Sequence, residues 1–351
     1  MSKKVLMKGN EAIAEAAIQA GCRHYFAYPI TPQTEIAAYM VSKMPEVGGV
    51  FLQAESEISA INMVYGAASA GARVMTSSSS PGISLMQEGL SYIAGCELPC
   101  VIVNVMRGGP GLGGILPSQA DYFQAVKGGG HGDYKNIVLA PSSVQEIFDL
   151  TYKAFDLADT YRTAVMIVID GHLGQVMEPM EIKPSQKGSL SPKDWAATGT
   201  KCRRPHNVIT SLYIVGDELE QHNTRLQHKY AGIEEREADY EMYNCEDAEI
   251  ILVSYGSVAR MAKEVVRLAN QEGIKAGLFR PVTLWPFPSN PINQLVDKVK
   301  AFVVVEMSTG QMLEDVRLAV NGKRPVYFHG RTGGMVPMKN DILDVVKNAV
   351  S

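Results

Sequence analysis

The sequence FLQAESEISAINMVYGAASAGARVMTSSSSPG, residues 51–82, decides the fold of this chain. A short apolar run ends at two carboxylates, Glu55 and Glu57, and a segment of small residues leads to a second apolar run and a Ser-Pro-Gly turn. That order predicts a strand, a helix and a parallel second strand. Both glutamates then fall where the first strand ends, at the edge of a parallel sheet where ligands usually bind.

Glu55 and Glu57 also have an explanation that requires no ligand. An acidic side chain in the first turn of a helix interacts favourably with the helix dipole, by a fraction of a kcal/mol. A functional interpretation therefore depends on which other polar residues the sheet brings to the same edge.

The composition limits the kinds of partner that the chain can bind. With 351 residues it is long enough for about two domains, each with its own core. A formal net charge of −4 argues against a nucleic-acid surface, which would need a basic face. No apolar run approaches the roughly 18 residues of a membrane span. Glu11 and Glu15 interrupt the segment where a signal peptide would be apolar, so we expect a cytoplasmic protein.

The five cysteines, at positions 22, 96, 100, 202 and 245, form no Cys-x-x-Cys motif. Cys96 and Cys100 lie four residues apart on either side of Pro99, which is not the spacing of a zinc knuckle or an iron–sulfur loop. We expect reduced, buried thiols, and no metal ion or cluster held by this chain alone.

A second polar strand end follows the predicted strand His24–Tyr28. It runs into Tyr-Pro-Ile-Thr-Pro at residues 28–32, where two prolines stiffen the backbone around one hydroxyl. Thr31 can cap the helix that continues to about Lys43, with Pro32 in its first turn. It can also present its hydroxyl to an anion, and the sequence leaves both uses open.

A third polar strand end is Arg107. The apolar run Leu98–Val105 is typical of a buried parallel strand, and Arg107 follows it directly before the glycine-rich residues 108–114. An arginine in this place is either a surface cation or a group that holds a carboxylate through two hydrogen bonds. The glycines match G-x-G-x-x-G, but no helix pattern follows them, so we predict a loop beside a site and not a dinucleotide fold. A further glycine loop carries His131 and Asp133, to which the sequence assigns no role.

The alternation of strands and helices predicts the fold class. Six strands over residues 1–180 indicate a doubly wound α/β domain with a parallel sheet. Within it, Asn10 should cap the first helix, Gly21 should close it, and Ser143 with Glu146 should form a capping box for a helix to about residue 158.

The rest of the chain divides into an arm and a second domain. Residues 181–246 are polar and predict a connecting arm that lies over another surface. From Asp247 the α/β alternation returns, which predicts a second, smaller α/β domain over residues 247–351. In it, Leu284-Trp285-Pro286-Phe287-Pro288 is expected to be a rigid packed turn.

Three motifs together resemble the alpha subunit of the 2-oxoacid:ferredoxin oxidoreductases. They are Tyr-Pro-Ile-Thr-Pro at 28–32, Gln-Ala-Glu-Ser-Glu at 53–57 before the small-residue helix, and Arg107 before its glycine loop. The likeness covers about residues 5–345. Within the family, INMVYGAASAGARVMTSSSSPG, VNVMRGGPGLGG and KGGGHGDY look most like the branch that acts on 3-methyl-2-oxobutanoate (2-oxoisovalerate), with the 2-oxoglutarate enzymes as near neighbours.

The resemblance implies a cofactor, thiamine diphosphate, and roles for single residues. Residues 1–180 would form its pyrimidine-binding domain, and the second domain would be transketolase C-terminal-like. Glu57, and not Glu55, would be the catalytic glutamate that meets the ring nitrogen of the aminopyrimidine. Thr31 and Arg107 would bind the substrate carboxylate. The other cofactor contacts of this chain would come from Tyr28, Pro29 and Ile30.

One part of a thiamine diphosphate site is missing from the sequence. The diphosphate–magnesium motif begins Gly-Asp-Gly, and both Gly216-Asp217-Glu218 and Gly132-Asp133-Tyr134 differ at the third position. The resemblance therefore implies a beta subunit that holds the diphosphate and Mg²⁺. It also implies a ferredoxin-like subunit with 4Fe–4S clusters, a gamma subunit in some members, coenzyme A as acyl acceptor and external ferredoxin as electron acceptor.

Other functions remain open on the sequence alone. The chain could belong to a non-oxidative thiamine enzyme of transketolase or decarboxylase type, or to a nicotinamide dehydrogenase. It could also be a non-catalytic assembly subunit in which Glu57, Thr31 and Arg107 only cap and pair. The substrate is open between branched-chain 2-oxoacids, 2-oxoglutarate and pyruvate, because the pocket walls would come partly from the partner.

Overall fold

The structure, a computed structural model, describes residues 4–182 and 192–350. A seven-stranded sheet forms the centre of the first domain and contains all six predicted strands. In spatial order, with labels numbered along the chain, its strands are β12 (Thr283–Trp285), β6 (Ile137–Leu139), β7 (Ala164–Asp170), β5 (Cys100–Met106), β4 (Val74–Ser78), β2 (His24–Ala27) and β3 (Val50–Gln53). All neighbours are parallel except β12 and β6, so the predicted parallel α/β sheet is confirmed.

The strands of this sheet form where apolar runs can be covered on both faces. Every residue of β5 and β7 is buried, which is why these segments lack the alternating pattern of a half-exposed strand. Because the strands are parallel, the ends of β2, β3, β4 and β5 meet at one edge. That edge carries the candidate site.

Helices connect most of the successive strands of this sheet. They are α1 (Gly9–Gln19), α2 (Thr34–Lys43), α3 (Glu57–Ser69), α4 (Ser80–Leu85), α5 (Gln87–Gly95), α6 (Tyr122–Val126), α7 (Val144–Tyr161) and α8 (Gly171–Gln175), with a 3₁₀ turn at Pro45–Val47. The predicted helix after Ser143 is α7, and it buries one apolar face on the sheet.

The start of α1 differs from the prediction. Lys8 is the N-cap residue, and Asn10 lies inside the helix with its side chain buried. The Asn10 amide donates to the Pro32 carbonyl and to Glu35, both at 2.8 Å, so it joins two helices instead of capping one. Gly21, at φ +83°, follows the end of α1 as expected.

The predicted cap of α2 is also wrong. This helix begins at Thr34, its N-cap residue is Gln33, and the Thr31–Pro32 peptide bond before it is cis. Thr31 and Pro32 therefore belong to the loop. Because Thr31 does not cap the helix, the explanation of that residue without a ligand is lost.

The capping box of α7 is half formed. The Ser143 hydroxyl accepts a hydrogen bond from the Glu146 main-chain N–H at 3.2 Å, as expected. The Glu146 carboxylate does not return to Ser143. It accepts from the N–H and hydroxyl of Ser142 and from Arg280, which belongs to the second domain.

The arm contains regular structure that the sequence prediction omitted. Helix α9 (Gly216–Glu237) buries Leu226, Tyr230 and Ile233, which pack with the core of the first domain. Strands β1 (Lys4–Lys8) and β8 (Met177–Glu181) form a separate antiparallel pair. Residues 183–191 of the predicted arm lie outside the described residues, and the domain limits at residues 180 and 246 remain a prediction.

A five-stranded sheet forms the second domain. In spatial order its strands are β14 (Val326–Gly330), β13 (Ala301–Glu306), β10 (Ile250–Val253), β11 (Ala276–Pro281) and β9 (Tyr240–Tyr243), and its helices are α10 (Gly256–Gln271), α11 (Ser289–Val296), α12 (Gln311–Val320) and α13 (Lys339–Val350). Ile251 and Val253 face the core shared with the first domain, whereas Ile250 and Leu252 face a second core beneath α10 and α13.

The two domains exchange strands. β12 leaves the second domain to pair with β6, and β9, which precedes that domain, pairs with β11. The predicted turn at residues 284–288 is therefore partly wrong, since Leu284 and Trp285 are strand residues. In the described part of the chain, no helix is both long and apolar enough to cross a membrane.

Candidate functional site

Glu57 is the first residue of α3 and is buried, at 5% exposure. The Ser56 hydroxyl caps the helix by accepting from the Ser59 N–H at 3.3 Å, so Glu57 is not the cap. Glu57 stands in the first turn, where the helix dipole favours an acid. None of the described residues donates a hydrogen bond to the Glu57 carboxyl. A buried carboxyl without a donor is costly unless a ligand or water supplies one.

Gly82 makes room for this carboxyl. A Cβ atom on Gly82 would stand 2.5 Å from Glu57 Oε1 and against the Ser78 hydroxyl. The carboxyl therefore occupies the space that any other side chain at position 82 would need.

A row of buried hydroxyls ends β4 beside Glu57, and the sequence analysis did not single these residues out. Ser77 donates to the Gln33 side chain at 2.6 Å, whereas the hydroxyls of Ser78 and Ser79 are buried without a partner among the described residues. The signal was present as four consecutive serines at a predicted strand end, followed by Pro-Gly.

Arg107 lies at the end of β5, on the same edge, and is 8% exposed. Its Nη1 donates to the Thr31 carbonyl at 2.9 Å and its Nη2 to the Leu112 carbonyl at 3.3 Å. Its Nε has no partner, and no carboxylate of the described residues forms an ion pair with it. A buried guanidinium without a counter-ion is suited to bind an anion.

The loop of residues 28–32 is held against this edge by Gln33. The buried Gln33 side chain donates to the Tyr28 carbonyl at 3.3 Å, and its main-chain N–H donates to the Ile30 carbonyl. Tyr28, Pro29 and Thr31 are exposed and Ile30 is half-buried. The structure thus brings Thr31 and Arg107 together, with the Thr31 side chain facing outward.

Other residues considered from the sequence lie elsewhere or remain exposed. Glu55 is exposed, and no contact joins it to Arg107. His131 and Asp133 line a separate cavity of about 240 Å³, together with Tyr92, Tyr213 and His222. The glycine loop at residues 108–114 opens no helix, as expected; it folds back so that the Gly108 N–H donates to the Leu116 carbonyl.

The cysteines of the described residues largely follow the prediction of buried thiols. All five cysteines are free thiols; four are buried as expected, but Cys202 is exposed. Burial raises the pKa of Cys22 and of Cys100 to about 12, so these thiols are unreactive. No group of three His, Cys, Asp or Glu side chains in the described residues is arranged to hold a metal ion.

The unpartnered polar groups at the edge formed by the ends of β2, β3, β4 and β5 fit the aminopyrimidine end of thiamine diphosphate and a 2-oxoacid. A buried carboxyl can meet a ring nitrogen, unpartnered hydroxyls can accept from an exocyclic amine, and an unpaired guanidinium can bind a carboxylate. At this edge the Ser78 and Ser79 hydroxyls and Arg107 Nε are buried without partners among the described residues. None of the described residues donates to the Glu57 carboxyl.

Two protein-family models match the chain. A model described as the thiamine-diphosphate-binding domain of pyruvate flavodoxin/ferredoxin oxidoreductase matches residues 15–242, more than half of the chain. The chain belongs to this family. A second model, core domain II of pyruvate:ferredoxin oxidoreductase, matches residues 248–342.

Similar members of the family are subunits of two kinds of enzyme. The chain is 52% identical to ketoisovalerate oxidoreductase subunit VorB of Methanothermobacter thermautotrophicus and 53% identical to that of Methanothermobacter marburgensis, over 97% of each chain. It is 36% identical to 2-oxoglutarate synthase subunit KorA of M. thermautotrophicus, over 99% of each chain. The resemblance to the 2-oxoacid:ferredoxin oxidoreductases is therefore confirmed, and this family member is an oxidoreductase subunit.

Solved structures confirm the fold class. The 2-oxoglutarate:ferredoxin oxidoreductase from Magnetococcus marinus, solved with 2-oxoglutarate, coenzyme A and succinyl-CoA bound, superposes with a TM-score of 0.90 at 28% identity. The match covers all of this chain and 66% of that one. A split-gene transketolase, an inactive beta4 tetramer, has a TM-score of 0.62 at 14% identity and shows a common fold alone.

Proposed function

We propose that this chain is the subunit of a coenzyme A-dependent 2-oxoacid:ferredoxin oxidoreductase that presents Glu57 to the pyrimidine of thiamine diphosphate. The substrate is 3-methyl-2-oxobutanoate, and the products are acyl-CoA, CO₂ and reduced ferredoxin. One observation carries the proposal. The buried Glu57 carboxyl, to which none of the described residues donates a hydrogen bond, lies on the same sheet edge as the buried Arg107 guanidinium, which has no counter-ion among those residues.

We assign to Glu57 the role of a proton-transfer residue. When bound, thiamine diphosphate supplies the electron sink that the decarboxylation of a 2-oxoacid requires. The Glu57 carboxyl would hold a proton at the pyrimidine ring nitrogen, and its fixed place at the start of α3 orients that contact. Tyr28, Pro29 and Ile30, whose loop Gln33 fastens to the sheet, would line the ring.

Arg107 and Thr31 would bind the substrate carboxylate. Each Nη atom of Arg107 donates one N–H to a main-chain carbonyl, which fixes the plane of the guanidinium. The second N–H of each Nη and the Nε–H remain for the anion. The exposed Thr31 hydroxyl can donate to the same carboxylate. Such fixed donors select an acid over an uncharged ketone.

A partner subunit would complete the site. Apolar side chains near Glu57 are exposed, among them Leu52 on the edge strand β3, Ile58 on α3 and Leu112 beside Arg107. We assign to the partner the diphosphate and Mg²⁺ contacts, since the chain lacks the Gly-Asp-Gly motif. Further subunits would carry the 4Fe–4S clusters, and the complex would be cytoplasmic with external ferredoxin as acceptor.

The choice of substrate rests on the relatives. Those that are 52–53% identical are named for ketoisovalerate, whereas the 2-oxoglutarate synthase subunit is 36% identical. The 2-oxoglutarate enzyme is the second candidate, because the superposed structure of that type matches the whole chain.

One assay tests the proposal. The chain is co-expressed with its partner subunits, and coenzyme A-dependent viologen reduction is compared for 2-oxoisovalerate, 2-oxoglutarate and pyruvate. We expect the highest kcat/KM with 2-oxoisovalerate. Preference for 2-oxoglutarate would support the second candidate. Release of CO₂ without viologen reduction would favour a non-oxidative thiamine enzyme, and absence of any 2-oxoacid turnover would contradict both.

A further inference from the structure

A polar cluster behind Arg107 links three segments of the first domain. It consists of Ser80 at the start of α4, Asn104 in β5, and Asp121, the residue before α6. The Asp121 carboxylate accepts from the Ser80 hydroxyl at 2.5 Å and from the Asn104 amide at 2.9 Å. The Asn104 side-chain oxygen accepts from the Ser80 N–H at 3.1 Å, which closes the cluster.

Arg107 is attached to this cluster through its backbone. The Arg107 N–H donates to the Ser80 hydroxyl oxygen at 3.0 Å. A hydroxyl has one proton, and two acceptors lie within reach of the Ser80 hydroxyl: Asp121 Oδ2 at 2.5 Å and the Arg107 carbonyl oxygen at 3.2 Å. The carboxyl oxygen is the nearer acceptor, and we assign the proton to that contact. Ser80 therefore accepts from Arg107 and donates to Asp121, so the carboxylate fixes the orientation of the hydroxyl that holds the Arg107 backbone.

The second domain holds the segment that carries Asp121. The Gln119 side chain donates to the Tyr255 carbonyl at 3.0 Å and accepts from the Met307 N–H at 2.9 Å. The next carbonyl, that of Ala120, accepts from the Gln311 side chain at 2.7 Å. Asp121 thus stands on a segment whose place is set by the second domain.

Asp121 is half-buried, and no cation among the described residues pairs with it. Burial raises the pKa of its carboxyl, and the hydrogen bonds from Ser80 and Asn104 only partly oppose that rise. A half-buried acid that serves packing alone would be replaceable by an apolar side chain. Its position, one hydroxyl away from the Arg107 backbone, gives it a different use.

We propose that Asp121 is a positioning residue for substrate binding: through Ser80 it fixes Arg107, and so couples the second domain to the group that receives the 2-oxoacid carboxylate. This inference rests on the proposed role of Arg107. Asp121 and Ser80 touch neither substrate nor cofactor. Their effect is to keep the guanidinium at the place where its unpaired N–H groups meet the carboxylate.

The test measures binding of a carboxylate separately from binding of the cofactor. In the complex with its partner subunits, 3-methylbutanoate, an unreactive carboxylate, is used as a competitive inhibitor, and its Ki is measured beside the Kd of thiamine diphosphate. For Asp121→Asn and for Ser80→Ala we expect the Ki and the KM for the 2-oxoacid to rise about tenfold, since a displaced charged donor loses most of its hydrogen-bond energy. The Kd of thiamine diphosphate should be unchanged.

Two comparisons make the result specific. In the double variant the effects should be less than multiplicative, because both residues act through one hydroxyl. Asp133→Asn, an exposed acid outside the cluster, is the matched control and should leave Ki and KM unchanged.

The outcomes separate this inference from the proposed function. If Arg107→Ala raises the Ki of 3-methylbutanoate but Asp121→Asn and Ser80→Ala do not, the inference is overturned and the role of Arg107 stands. If Arg107→Ala leaves the Ki unchanged, both fail. If the Ki of 3-methylbutanoate and the Kd of thiamine diphosphate rise equally, the substitution has disturbed the whole site, and the inference is also overturned. Should Asp121→Asn fail to assemble, Ser80→Ala decides by the same criterion.

Discussion

The Glu57 carboxyl depends on the absence of a side chain at position 82. Gly82 has no positive φ, so its backbone conformation does not require glycine. Glycine is required because the Glu57 carboxyl and the Ser78 hydroxyl leave no space for a Cβ atom. Since the carboxyl and the Ser78 hydroxyl both lie within reach of the missing Cβ, they share one small volume. The volume is preserved by the Pro81-Gly82 start of α4.

Replacement of Gly82 by alanine should therefore displace Glu57. We expect Gly82→Ala to lower kcat by at least about tenfold, because a shift of a catalytic group by a fraction of an ångström weakens proton transfer. The measurement is 2-oxoacid-dependent viologen reduction by the assembled complex. Gly216→Ala is the control, since a Cβ there would have no atom within 4 Å. Normal turnover in Gly82→Ala would show that the carboxyl tolerates displacement.

Glu57 and Glu55 make a matched pair for the central assignment. Both are acids at the end of β3, but Glu57 is buried and Glu55 is exposed. We expect Glu57→Gln to lower kcat by about 10²- to 10⁴-fold, the usual contribution of a positioned proton-transfer group. Glu55→Gln should retain normal kcat in the same assay. An equal effect of the two substitutions would remove the distinction on which the assignment rests.

The sequence could place some site residues and not others. Glu57, Thr31 and Arg107 follow strands, and the ends of parallel strands converge, so their common edge could be predicted. The bonds of Gln33, Ser80 and Asp121 could not, because each partner lies on a segment distant in sequence. The functional roles of these residues remain predictions.

At the scale of elements, one helix end shows why local rules were insufficient. Ser143 and Glu146 have the capping-box spacing, and the hydroxyl half forms. Glu146 instead makes a two-point contact with Arg280, at 2.7 and 3.1 Å. A charge-assisted contact with Arg280 stabilises the Glu146 carboxylate more than a hydrogen bond from the Ser143 N–H would. A local sequence pattern cannot predict such a contact, because the partner lies in another domain.

Arg280 joins three elements and should be important for stability. It is 3% exposed in β11, and it binds Glu146 of α7 and Glu241 of β9. We expect Arg280→Ala to lower the free energy of unfolding by about 2–3 kcal/mol, because the partly buried Glu146 carboxylate loses its ion pair and Glu241 keeps only its pair with Lys263. The midpoint of thermal unfolding measures this. Arg267→Ala, which breaks an exposed pair with Glu264 within one helix, should have little effect; equal midpoints for both variants would contradict the argument.

At the scale of the whole molecule, the arm was the largest omission. Helix α9 is strongly polar, which favoured an irregular arm, yet Leu226, Tyr230 and Ile233 recur at helical spacing and are the apolar residues it buries, beside His222. That sparse apolar stripe was a readable signal. What the chain could not reveal was the surface beneath it, which is formed by the first domain.

The surface around β3 gives a prediction for the complete complex. Leu52 is 41% exposed on an edge strand, next to the candidate site. We expect Leu52→Asp to reduce co-purification with the partner subunits while the thermal midpoint of the isolated chain changes little, because the new charge is buried only in the complex. Leu318→Asp, on the 73% exposed Leu318 of α12, is the control. Undiminished assembly of Leu52→Asp would exclude this surface as the interface.

The exchange of β9 and β12 means that the chain's order and its spatial units do not coincide. A break at residue 246 would leave β9 on the N-terminal fragment, away from its sheet, and would remove β12 from the N-terminal fragment's sheet. Each piece would then expose an unpaired backbone edge that the other piece alone can cover. A gene fission at this point would therefore yield two fragments that fold only together, by fragment complementation, and not two independently folding domains.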